Sequence, residues 1–166
     1  DFVELATPTD NWAELAPASL AEALALKLQE LLNLELVAVC LSGSLFDQSI
    51  QAVVGRQPLD KNSLKQWQAR LDLLMAECAS DSNPHLSLPW TSKEPPPAIA
   101  RFEHGGNCGL VVARSSVADF PDETSRCLLE LAAQQLVQRG VHANAMAEIN
   151  RGVDARQFRL LFEQAV

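Results

Sequence analysis

Leucines 20, 24, 28 and 31 recur at helical spacing through "PASLAEALALKLQELLN". Pro17 suits the first turn of that helix, where a missing N–H costs nothing, and Asn33 is a C-terminal stop. "LELVAVCL", Leu34 to Leu41, is apolar on both faces and reads as a central buried strand. "SGSLFD" supplies turn chemistry, and "QSIQAVVGR" alternates as a second strand paired in a hairpin. Pro58 and Asp60 then open a new helix. In it Leu64, Trp67, Leu71, Leu74 and Cys78 step by threes and fours, one face over about four turns. "SDSNP" ends that helix, "HLSLPW" is a short strand or an irregular segment, and the prolines of "TSKEPPP" confine it to a loop or sheet edge. "AIARFEH", "GGN" and "CGLVVARS" form the strongest hairpin signal, with Gly105 and Gly106 free to take the positive φ of a tight turn.

A long last helix is expected from about Pro121 to near Asn150, with Asp122 and Glu123 in its first turn favouring the helix dipole. Gly140 weakens it by about 1 kcal/mol relative to alanine. Consecutive strands joined by short hairpins give a mainly antiparallel sheet. The expected class is α+β, with five or six central strands. The N- and C-terminal helices cover one face, and a crossing helix with its loops covers the other.

Composition narrows the function. Apolar residues make up 48% of the 166, too many for a disordered chain and enough for one domain with a real core. No run approaches the roughly 18 apolar residues of a membrane span, so no membrane contact by this segment is expected. The net charge of -8, without a basic stripe, works against nucleic acid as a partner. Cys40, Cys78, Cys108 and Cys127 lie far apart with no C-x-x-C, which leaves a spaced zinc site unsupported and small-hydrophobe packing the plainer role. No secretory signal precedes Asp1, which points to the cytoplasm. There is no G-x-S-x-G, no H-E-x-x-H and no phosphate loop; "GGNCG" leads into a strand rather than a helix.

At this point two local motifs coincide with known families. Gly109-Leu110-Val111-Val112, Phe120-Pro121-Asp122-Glu123 and Leu128-Leu129-Glu130-Leu131-Ala132-Ala133-Gln134 together resemble the end of a GAF domain. The likeness in element order extends over roughly Ala18 to Gln138. The last stretch, Phe158-Arg159-Leu160-Leu161-Phe162-Glu163-Gln164-Ala165, is similar to the opening of a PAS domain. The resemblance implies an excerpt of a longer signalling protein: a connector over 1–17, a GAF-like domain over 18–139, a linker helix over 140–157 and the start of a PAS-like module over 158–166. Adjacent PAS and output domains would be its partners in the same chain, the outputs including histidine kinases of two-component systems, diguanylate cyclases and enhancer-binding regulators. No catalytic residue, metal or cofactor is expected in this segment.

The resemblance also implies a place for a ligand, between the sheet and the crossing helix with its loops. Candidate lining residues are Trp67, Leu71, Met75, Trp90 and Phe102, with Arg101 or His85 as a polar contact for a small organic molecule. A filled core is the plainer reading of the same stripe, and both readings stay open here. The Asn-Lys-x-x-x-Phe signature of cyclic-nucleotide-binding members is absent. Cys78 is followed by Ala79 rather than by the histidine of bilin-binding members, and His85 or His104 as a haem ligand would be a lone imidazole. The last helix carries Leu129, Leu136, Val137, Val141, Ala145 and Ile149, apolar surface that suits pairing with a second copy and relay of a signal. Its alternative is a helix that ends near Gly140. Three functions are thus expected: a sensory or regulatory module, a degenerate module used only for dimerisation and spacing, or a thiol-dependent reductase built on Cys78 and Cys108.

Overall fold

A computed structural model describes residues 15–79 and 95–164. The element order is α1 (Pro17–Leu32), β1 (Leu36–Gly43), β2 (Ile50–Gly55), α2 (Lys61–Ala79), β3 (Ala98–His104), β4 (Asn107–Arg114) and α3 (Glu123–Gln164). α1 starts with Pro17 in its first turn and stops at Asn33, whose left-handed φ of 52° lets its N–H return to Gln29 O. Asparagine tolerates that conformation better than most side chains. α2 is capped by Asp60, whose Oδ1 accepts the Ser63 N–H at 2.6 Å. α3 is capped likewise by Asp122, which accepts the Ser125 N–H at 2.7 Å.

The four described strands form one antiparallel sheet in the order β2-β1-β4-β3. Five or six strands were expected; the candidate strand His85–Trp90 lies outside the described residues. β1 and β4 are central, and β1 is buried on both faces from Leu36 to Leu41, as its unbroken apolar run requires. The β3–β4 turn is closed by Gly105 and Gly106 at φ 58° and 75°, the positive values a tight hairpin demands.

Three layers result. On one face α1 and α3 pack Leu24, Leu28, Leu129, Leu136 and Val137 against Val37, Val39, Val111 and Ala113. On the other, α2 packs Trp67, Leu71 and Leu74 against Leu36, Ala38, Cys40, Leu110 and Val112. Each such leucine contributes roughly 1.5–3 kcal/mol by leaving water.

α3 is 42 residues long and about 63 Å at ~1.5 Å per residue. It continues through Gly140 to Gln164 rather than ending near Asn150. Gly140 is there because the helix crosses β1 closely: a Cβ at that position would lie 2.3 Å from Leu41 Cδ2. A glycine that weakens an isolated helix is thus what lets this one lie against the sheet. From Ala145 to Gly152 every residue is exposed, so the helix leaves the body after Asn144, whose Nδ2 donates to Leu45 O at 3.2 Å.

Candidate functional site

The expected ligand region lies under α2, and its described part is filled. Trp67 is 5% exposed, and Leu71 and Leu74 are fully buried against the sheet. Arg70 stacks its guanidinium over Trp67, 5.2 Å from the ring centroid, closing the indole's outer side. Met75 is half-buried at the margin of the same cluster. His85 and Trp90 lie outside the described residues.

Arg101 and Phe102 lie on opposite faces of the sheet, although both border one cleft. They are neighbours on β3, and successive strand residues point to opposite faces. Phe102 packs with Ala98 and Ala100 on the α1/α3 side, and its ring stacks on His104 at 6.5 Å. Arg101 lies on the α2 side with Ile99, pairing with the Glu103 carboxylate at 2.6 Å and lying beside the Cys108 thiol.

Nor are the expected pairing residues of the last helix available together. Leu129, Leu136 and Val137 are buried in the domain's own core, and Val141 packs at its margin. Of that set Ala145 and Ile149 are exposed, Ile149 at 57%, and Met146, one turn before Ile149, joins them at 42%. The sheet consumes the apolar surface of the first half of α3.

Among the described residues two clefts are each about 490 Å³, within the usual range for small ligands, about 300–1,000 Å³. One lies at the end of the sheet where β1 begins and β2 and β4 finish. Arg56, Arg114, Glu35 and Asp60 reach it, floored by Leu36 and Leu59. Arg56 Nη2 donates to Asn33 O at 3.0 Å and also to Asn33 Oδ1, tying β2 to the end of α1. Arg114 Nε lies 3.8 Å from the Glu35 carboxylate. The backbone N–H of Ser63 is the main cause holding the Asp60 carboxyl below the usual carboxylate range, so Asp60 serves the helix as its cap. The two guanidinium groups give the cleft a polar mouth suited to an anionic group, partly offset by both carboxylates.

These residues went unseen in the sequence because they are far apart in it. The signal is topological: with β1 between β2 and β4, and all antiparallel, the start of β1 meets the ends of both neighbours. The register pairs Leu36 with Gly55 and with Arg114.

The second cleft runs between β3 and α3. Phe102, Ala100 and Leu131 give it an apolar wall, and Arg101, Glu130 and Gln134 its polar contacts. Cys127 is exposed at its rim. No disulfide joins Cys40, Cys108 and Cys127. Burial pushes the Cys108 thiol up, with Arg101 only partly opposing it, which disfavours the reactive thiolate. The side chain of Cys78 lies outside the described residues. Among the described residues no group of His, Cys, Asp and Glu is arranged to hold a metal ion, and no helix is long and apolar enough to cross a membrane.

The fold and its clefts define a three-layer α+β domain with a projecting C-terminal helix. No protein-family model, curated protein or solved structure matches the chain.

Proposed function

We propose that the chain is a GAF-like regulatory module of a cytoplasmic signalling protein, with no reaction of its own, that acts through α3. The observation that carries this reading is the double role of that helix. Its first half supplies Leu129, Leu136 and Val137 to the core, and its second half continues as helix to Gln164, with every residue from Ala145 to Gly152 exposed. Any change in how the core seats the first half is therefore carried along one rigid element toward whatever follows, over roughly 30 Å for residues 145–164.

A small molecule in the cleft between β3 and α3 would press directly on Glu130, Leu131 and Gln134 of the helix. It shifts the helix only if it binds two packings of α3 unequally. Two copies would pair along the exposed part of α3, where Met146 and Ile149 offer the apolar contact.

One observation favours a second reading, a connector that sets spacing and binds nothing: Trp67, Leu71 and Leu74 fill the space under α2. The thiol-reductase reading has less support, given the raised Cys108 thiol.

The deciding experiment measures the thermal midpoint of the chain against a panel of small metabolites, cyclic nucleotides and haem. A midpoint that rises with ligand concentration, and no longer does so in Leu131→Glu, supports the sensor, by mass action. No shift by any compound, with a dimer in sedimentation that Ile149→Glu dissociates, supports the connector.

A further inference from the structure

Among the described strands, the two edges of the sheet are guarded unequally. β3 follows Pro95, Pro96 and Pro97 and carries Arg101, Glu103 and His104. β2, at the opposite edge, reads Ile50-Gln51-Ala52-Val53-Val54-Gly55, without a charge or a proline. Natural edge strands are normally blunted by such groups, because unpaired N–H and C=O groups template a further strand.

The direction of those groups follows from the ladder. The Arg56 N–H donates to Glu35 O at 2.8 Å, just past the end of β2. In an antiparallel pair the bonded residues alternate. Val54, Ala52 and Ile50 therefore bond to β1, and Gln51 and Val53 turn their peptide groups away from it. What lies beyond them is a groove in two adjoining sections, about 330 and 570 Å³, which share Gln51 and Gln68. Glu22 of α1 stands on one wall and Leu64, Gln68 and Asp72 of α2 on the other. Asp72 accepts the Gln51 side-chain amide at 2.6 Å, which keeps that carboxylate at the edge. The lining holds two carboxylates and no cation.

We infer that the outer edge of β2 is a docking site for an extended peptide segment of a partner protein, which adds as a strand beside Gln51–Val53 and turns lysine or arginine side chains toward Glu22 and Asp72. Main-chain hydrogen bonds supply the affinity in this mode of recognition, and the flanking side chains supply the specificity. A second copy fits less well. Pairing β2 with itself would bring the carboxylates of both copies together, in a chain already at net charge -8. The inference is independent of the regulatory reading and holds for a sensor or a connector alike.

The test uses a fluorescein-labelled peptide of alternating threonine and valine with lysine at both ends, and a twin with glutamate in place of lysine. Fluorescence anisotropy should show saturable binding of the lysine peptide and at least about tenfold weaker binding of the twin, a difference of about 1.4 kcal/mol. Gln51→Pro removes an outward N–H without removing a donor from the β1 ladder. It should weaken the lysine peptide by about tenfold or more. The double variant Glu22→Lys, Asp72→Lys should reverse the preference between the peptides, and it decides the matter alone if Gln51→Pro loses its native circular dichroism. Lack of saturable binding at millimolar peptide, unchanged binding by folded Gln51→Pro, or an unreversed preference would each overturn the inference. So would a concentration-dependent dimer that Gln51→Pro dissolves, which would make a second copy the occupant.

Discussion

The two faces of the sheet are both apolar, yet they are built differently. The α1/α3 face is enclosed by two helices, and one of them lies so close that glycine is needed at the contact. A Cβ on Gly109 would meet Ala133 O and Val137 Cγ2, each at 2.8 Å. Among the described residues the α2 face has one helix, held by Trp67, Leu71 and Leu74, with Leu73 exposed at 55% on its outer side. A helix packed on a sheet without a neighbouring helix can settle when a side chain is lost. A helix locked between a sheet and a second helix cannot. The difference places mechanical rigidity on the face that carries α3, the element that leaves the domain.

The largest expected effect tests that contrast directly. Leu136→Ala, in the enclosed face, should cost about 4 kcal/mol, and Leu74→Ala, under α2, about 2–3 kcal/mol, because the cost of a cavity depends on how far its walls relax. Urea unfolding of both variants measures the gap. Equal losses would mean that α2 is held as firmly as α3.

A smaller effect separates the two close-contact glycines. Gly109→Ala meets a backbone carbonyl that cannot swing aside, and overpacking of that kind costs about 1–3 kcal/mol. Gly140→Ala meets the far end of Leu41, which can turn, and it gains about 1 kcal/mol in helix propensity. Gly140→Ala should therefore be the milder change by chemical denaturation. The reverse order would show that α3 sits closer to β1 than to β4.

The smallest effect concerns the helix starts. Asp60 and Asp122 both have carboxyls held below the usual range, Asp60 chiefly by the Ser63 N–H and Asp122 chiefly by the Ser125 side chain. A depressed folded-state pKa contributes stability that is present above the unfolded value, about 3.9 for aspartate, and is lost as the pH falls through the folded value. Asp60→Ala and Asp122→Ala should each lower the thermal midpoint at neutral pH and flatten its fall below about pH 4. Because Asp122 starts the helix of the rigid face, its effect on local hydrogen exchange should reach α3, and that of Asp60 should stay in α2.

Much of the architecture was legible residue by residue. Pro17 and Asn33 bound α1, Asp60 opens α2, and Gly105-Gly106 close the last hairpin, because each is a local backbone preference that needs no partner. Even the placing of Arg101 and Phe102 on opposite faces of the sheet was available in strand alternation. The fate of Leu129, Leu136 and Val137 was not available. A helical stripe states that a face must be buried, and it does not state against what. The cleft of Arg56, Arg114 and Glu35 and the exposed edge of β2 were equally hidden, since both follow from the strand order.

The sequence by itself determined where helices and strands begin and turn, since those are contests between neighbouring residues for backbone geometry. The tertiary structure alone decided which apolar faces meet, which strands lie at the edges, and that Gly140 is a point of contact rather than a break. Those outcomes depend on pairings between residues distant in the chain, and local periodicity carries no information about them.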